Sequence, residues 1–199
     1  MLWIGLTGGI ATGKSTVSRL LRERGYDVID ADLLAREATQ VGTSAHLEIV
    51  RIFGADAVLS SGELNRRKIG DVVFSDQSKL KLLESVIHPK VRALALERKA
   101  ALIQKGVKIA FYDVPLLFEK SMEPLFDHIT VVACRMDTQK ARLIARNGFT
   151  NDEAEKRIAA QLAIEKKIGL AATVIYNDGS LKELETAVDN YLKGLPRPS

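Results

Sequence analysis

The chain has 199 residues, 46% hydrophobic, 27% charged and 6% aromatic, and 29 Lys and Arg against 25 Asp and Glu give a formal net charge of +4. That length supports a buried core without disulfide or metal staples, and the single cysteine, Cys134, excludes an internal disulfide and a cysteine-based zinc site. No apolar run nears the roughly 20 residues of a bilayer crossing and no basic stretch precedes an apolar run at the start, so the expected setting is cytoplasmic, with no membrane partner.

In chain order, Leu2–Leu6 is an apolar run of strand length that ends at glycines, and Val17, Leu20 and Leu21 then recur at helical spacing up to Gly25. Tyr26–Asp30 predicts a second strand, Lys108–Asp113 a third closed by Pro115, His128–Cys134 a fourth and Thr173–Tyr176 a fifth. Leu181, Leu184, Val188 and Leu192 stripe a last helix. Strands alternating with helices predict an α/β fold, a five-stranded parallel sheet covered on both faces. Between the second and third strands, Ala31 to Lys105 holds helical patterns, with Leu80, Leu83 and Ile87 before Pro89 and Val91, Leu94 and Ala95 after it. One crossover helix does not need that length, so the stretch reads as a helical insertion able to seat a second substrate. The expected division is a core of about 1–31, 106–136 and 168–199, an insertion of about 32–105 and a lid of about 137–167. The tail from Leu195 to Ser199 reads as frayed.

The clearest signal is Gly8-Gly9-Ile10-Ala11-Thr12-Gly13-Lys14-Ser15, which matches G-x-x-x-x-G-K-[ST] between a strand and a helix. Glycines let successive backbone N–H groups converge on phosphate oxygens, and a helix N-terminus adds partial positive charge. Lys14 then reaches the β- and γ-phosphates of a nucleotide, and the Ser15 hydroxyl ligates Mg²⁺. No N-K-x-D guanine-reading sequence follows a later strand; the fifth leads into Asn177-Asp178-Gly179. A compact chain with this loop and a helical insertion points to a small-molecule kinase.

Asp30 and Asp32 close the second strand, where residues two apart share a face. A carboxylate there can take a proton from an attacking hydroxyl, or Asp32 can simply N-cap the next helix. Asp113, ending the third strand, can bind Mg²⁺ through water or cap the turn at Pro115. Arg142 and Arg146, four apart on a helix starting near Asp137, share a face suited to phosphate oxygens or to solvent. The following segment through Arg157, Gln161, Lys166 and Lys167 reads as helical with one polar face, and His88 sits before Pro89 at a helix boundary. Basic residues are scattered with no interleaved aromatic platform, so nucleic acid is not an expected partner.

Taken together, IGLTGGIATGKST, VIDADLLAR, IHPKVR, DVPLLFE, ARLIARNGFT, RIAAQLAIEKK and VIYNDGS, in this order from about Trp3 to Tyr191, resemble the dephospho-CoA kinase family. The resemblance implies a P-loop kinase that uses ATP with Mg²⁺ to phosphorylate the ribose 3′-hydroxyl of dephospho-CoA. It implies that Gly9 and Ala11 to Thr16 (Ala11, Thr12, Gly13, Lys14, Ser15, Thr16) hold the ATP phosphates, that Asp32 is the base, and that Arg142 is the lid arginine. It further implies that Asn177 lies near the adenine, and that Thr7, Arg36, His88 and the Asp113–Glu119 segment with Leu116 and Leu117 line the acceptor site. The family usually carries Ala-Asp shortly before the last strand, where this chain has Ala171-Ala172. Two other readings share the loop: another small-molecule kinase, such as a nucleoside monophosphate kinase, and a nucleotide-binding regulatory module without turnover.

Overall fold

The computed structural model describes residues 1–196. Five strands, β1 (Leu2–Gly8), β2 (Asp27–Asp30), β3 (Ile109–Asp113), β4 (His128–Ala133) and β5 (Thr173–Tyr176), form one sheet in the order β2-β3-β1-β4-β5. The helices are α1 (Lys14–Glu23), α2 (Ala31–Ala38), α3 (Ser44–Phe53), α4 (Arg66–Ser75), α5 (Gln77–Gln104), α6 (Met136–Asn147), α7 (Asn151–Ala159), α8 (Ile164–Leu170) and α9 (Leu181–Lys193). β1 runs parallel to β3 and β4, with Leu6 opposite both Asp113 and Thr130, and β4 runs parallel to β5. β1 extends two residues beyond the apolar run because Thr7 and Gly8 still pair with Val131 and Val132.

The chain divides into two compact units, Met1–Ile29 with the chain from Ile103 onward, and Asp30–Leu102. In the sheet unit, Ile4, Leu6, Phe111, Val132 and Ile175 on one face pack with Val17, Leu20 and Leu21 of α1 and Leu184, Val188 and Tyr191 of α9. On the other face Trp3 stacks with Tyr112 and Phe126 at centroid distances of 5.7 and 6.5 Å, and α8 packs against β4. Coverage of both faces explains why β1, β3 and β4 are buried almost end to end rather than in alternation. β1 is central, with β3 and β2 on one side and β4 and β5 on the other, so the topological switch lies at its carboxyl end, where open α/β sheets bind ligands. Leu195, expected in a frayed tail, is buried in this core; Arg197, Pro198 and Ser199 lie outside the described residues.

The helical unit has its own small core of Ile49, Ala57, Leu64 and Ile69, ringed by Phe53, Val73, Leu83 and Ile87. Its helices start at side-chain caps: Asp30 accepts from the amides of Asp32 and Leu33, Thr43 from His46, and Asn65 from Lys68.

Helix continuity departs from expectation in two places. Pro89 does not end a helix, so His88 is not at a boundary: α5 runs unbroken through it. Proline removes one N–H and crowds the carbonyl four residues back, but Ser85, His88 and Pro89 all lie on an exposed stretch where water can reach the freed carbonyl. The segment after Asn147 is not one helix with a polar face. It forms α7 and α8 with a break between them, and Lys167 is fully buried. Among the described residues, no helix is long and apolar enough to cross a membrane.

Candidate active site

The glycine-rich turn links the carboxyl end of β1 to α1. Its curl is set locally by Thr12, whose N–H and Oγ1 donate to the Gly9 carbonyl at 3.3 and 2.9 Å. Gly13 has φ +93°, and a Cβ there would lie 2.0 Å from Asn177 Nδ2, so only glycine fits. Gly13 is also the N-cap of α1 and gives it no side-chain cap, which leaves the first amides of the helix, at Lys14 and Ser15, facing the turn. Ser15 is exposed and Thr16 half-buried on that first turn.

Lys14 forms an ion pair with one oxygen of Asp113, and Ser18, one turn further along α1, donates to the other. The Asp113 carboxylate is 3% exposed. With its oxygens on Lys14 and Ser18, Asp113 does not cap the turn at Pro115. The turn beyond it is held instead by Thr7 Oγ1 donating to the Pro115 carbonyl at 3.1 Å and by Val114 N–H donating to Leu6 at 2.9 Å. Thr7 is therefore buried structure at the strand end. Leu117 is fully buried over Gly5, where an added Cβ would meet it at 2.7 Å, so it is a core side chain; Leu116 is half-buried.

A cleft of about 240 Å³ opens beside the turn, lined by Gly13, Thr16, Arg142, Asn177, Gly179 and Leu181. Asn177 Nδ2 donates to the Thr12 carbonyl and Arg142 Nη1 to the Asn177 carbonyl, each at 2.8 Å, so these residues form a chain from α6 to the turn. Asp178 fixes the start of α6 by accepting from Arg135 N–H at 2.7 Å and Thr138 Oγ1 at 3.1 Å. The Arg135 amide, ahead of partial burial, holds the Asp178 carboxyl below its usual range. Burial pushes the nearby Cys134 thiol up. Arg146 does not join the cleft; it is exposed and its Nε donates to Asn147 at 2.8 Å.

In the helical unit the two strand-end aspartates part company. Asp30 is the cap of α2, and Asp32 lies inside the first turn of that helix, so they do not alternate along one strand. Asp32 and Arg36 are exposed, four apart on α2. Arg66, passed over in the sequence, donates to Thr39 Oγ1 at 2.8 Å. Burial, then the neighbouring Arg36 charge, draws its guanidinium below its usual value. His88 is exposed on α5.

Among the described residues no group of three or more His, Cys, Asp or Glu could hold a metal ion. One hydroxyl, Ser15, on an exposed first helical turn suits a hard cation that arrives with phosphate oxygens and keeps most of its water.

A family model described as dephospho-CoA kinase matches residues 2–183. The chain is 46% identical over 186 residues to dephospho-CoA kinase of Geobacter sulfurreducens, covering 94% of each. It is similar to a solved Thermus thermophilus structure (39% identity, 98% of each chain, TM-score 0.83) and to dephospho-CoA kinase from Campylobacter jejuni (27% identity, 96% and 95% covered, TM-score 0.72). With a phosphate-binding turn at the switch point of a five-stranded parallel sheet, and these matches over nearly its whole length, the chain belongs to the dephospho-CoA kinase family.

Proposed function

We propose that the chain transfers the γ-phosphoryl group of ATP to the ribose 3′-hydroxyl of dephospho-CoA, giving coenzyme A and ADP, as the last step of coenzyme A biosynthesis in the cytoplasm. The observation that carries this reading is the turn at the end of β1, with Lys14 poised on Asp113, in a chain of this family. The Ala11–Thr16 stretch binds the β- and γ-phosphates, with the open Lys14 and Ser15 amides at the start of α1 as donors, and Lys14 exchanges Asp113 for phosphate oxygen. Asn177 and the cleft beside Gly13 take the adenine, while Arg142 swings onto phosphate oxygens as the 137–167 lid closes and excludes water. Mg²⁺ arriving with ATP would supply charge neutralisation at the transferring phosphate, and Ser15 Oγ is the side chain that would hold it.

Dephospho-CoA carries a diphosphate, and Arg36, with Arg66 beside it, and His88 are the groups proposed to hold the acceptor. Asp32 takes the proton of the 3′-hydroxyl as that oxygen bonds to phosphorus and the bond to the β-phosphate oxygen breaks, releasing ADP. Lys14 and Arg142 then spread the negative charge of the transferring group.

Asp32→Asn tests the base. ATP affinity by calorimetry should be unchanged and turnover should fall by about 10²–10⁴. Turnover within about threefold of the parent would take Asp32 out of this role.

A further inference from the structure

We propose that Gln139 and Gln161 form a clamp on the Ile10 peptide groups that holds the phosphate-binding turn in its gripping shape, and that both are positioning residues for phosphoryl transfer. This rests on the reading above and adds to it the device that shapes the turn.

The clamp closes on both sides of one residue. Ile10 N–H donates to Gln161 Oε1 at 2.7 Å, and the Ile10 carbonyl accepts from Gln139 Nε2 at 2.6 Å. Gln139 is on α6 and 2% exposed, while Gln161 lies in the link between α7 and α8. The seat is tight: a Cβ at Gly9 would come within 2.7 Å of Gln139 Nε2. The next residue, Ala11, has φ +60°, the left-handed region that a side chain bearing Cβ disfavours. Such a residue persists where its surroundings over-determine it, and two directed hydrogen bonds on the preceding residue do so here. With the Ile10 amide taken by Gln161, the donors left to converge on phosphate begin at Ala11.

The Gln161 arm is itself anchored. Leu162 N–H donates to Glu119 Oε1 at 3.0 Å, the same oxygen pairs with Lys167 Nζ at 2.8 Å, and Lys167 Nζ returns to the Gly8 carbonyl at 3.4 Å. A closed circuit thus runs from Gly8 through Lys167, Glu119 and Leu162 to Gln161 and back to Ile10. Lys167 is 0% exposed, and Glu119 Oε2 is buried with no hydrogen-bond partner among the described residues. A buried ion pair so incompletely satisfied is a poor source of net stability and a good register pin.

The test is calorimetric titration of the full chain with ATP and with adenosine, which lacks the phosphates. The proteins are the parent, Gln161→Leu, Ala11→Gly and the double variant. Gln161→Leu should weaken ATP about tenfold and leave adenosine within about twofold, because the Asn177 side is untouched. With Ala11→Gly present, the same substitution should weaken ATP by less than about threefold, since glycine adopts the left-handed region unaided. The clamp is overturned if Gln161→Leu binds ATP within about twofold of the parent, weakens adenosine equally, or loses the same factor in both backgrounds. If Gln161→Leu does not fold, Gln161→Asn, polar but a methylene too short, must show the same selective loss of ATP. Failure of the parent to bind ATP would sink the functional reading itself; a parent that binds beside an unaffected Gln161→Leu sinks only the clamp.

Discussion

At Asp113 a carboxylate 3% exposed faces an ammonium 16% exposed, with Ser18 on its second oxygen. Removing the lysine alone leaves a buried anion with one hydroxyl partner, whereas removing both charges leaves none. Lys14→Met should therefore lower unfolding stability of the nucleotide-free protein by about 3 kcal/mol, and adding Asp113→Asn should recover most of it. Urea unfolding of both variants reads this directly, and equal loss in single and double variants would contradict it. Lys14 and Ser15 are legible in the sequence because a spacing rule with a mechanism picks them out. Ser18 is not, since its partner is 95 residues away and no local pattern announces it. The aspartates at the end of β2 show the limit of alternation: it assumed extended backbone through Asp32, but the helix begins at Ala31, and the capping role considered for Asp32 falls to Asp30.

Among the elements, α8 carries a pairing that ties stability to pH. Burial pushes the Glu119 carboxyl up, but the hydrogen bond from Lys167, the amides of Glu119 and Leu162, and the Lys167 charge together bring it below its usual value of 4.5. A carboxyl lowered by folding contributes stability that is fully present above its unfolded value and is lost as pH falls through the folded one. The parent should thus lose unfolding stability as pH drops from about 5 towards 3, and Glu119→Gln should show a shallower decline from a lower neutral value. An unchanged slope in Glu119→Gln would show that this pair does not set the acid limb. Strand periodicity located all five strands to within two residues at each end, because buried parallel strands are short apolar runs bounded by turns. Helix continuity was harder. Pro89 reads as a breaker but sits exposed, and Lys167 reads as a polar-face residue but is turned inward by an anion 48 residues before it.

Across the whole molecule, the sheet unit assembles a nucleotide grip from the ends of β1, β3 and β5, because parallel strands bring their carboxyl ends to one edge. The helical unit, with a core of its own, carries Asp32, Arg36 and His88. The architecture was readable from the alternation of strands and helices and from the length between Ala31 and Lys105. The hydrogen bonds that shape the turn were not, since side chains 129 and 151 residues distant reach its backbone. The most direct measurement of the central claim is product identification. The purified chain is incubated with ATP, Mg²⁺ and dephospho-CoA, and the products are resolved by phosphorus NMR and mass spectrometry. Coenzyme A bearing a new 3′-phosphomonoester should appear in equal amount with ADP, while nucleoside monophosphates offered instead should give no nucleoside diphosphate from the acceptor. ADP formed without coenzyme A, or phosphoryl transfer to a nucleoside monophosphate in its place, would contradict the account.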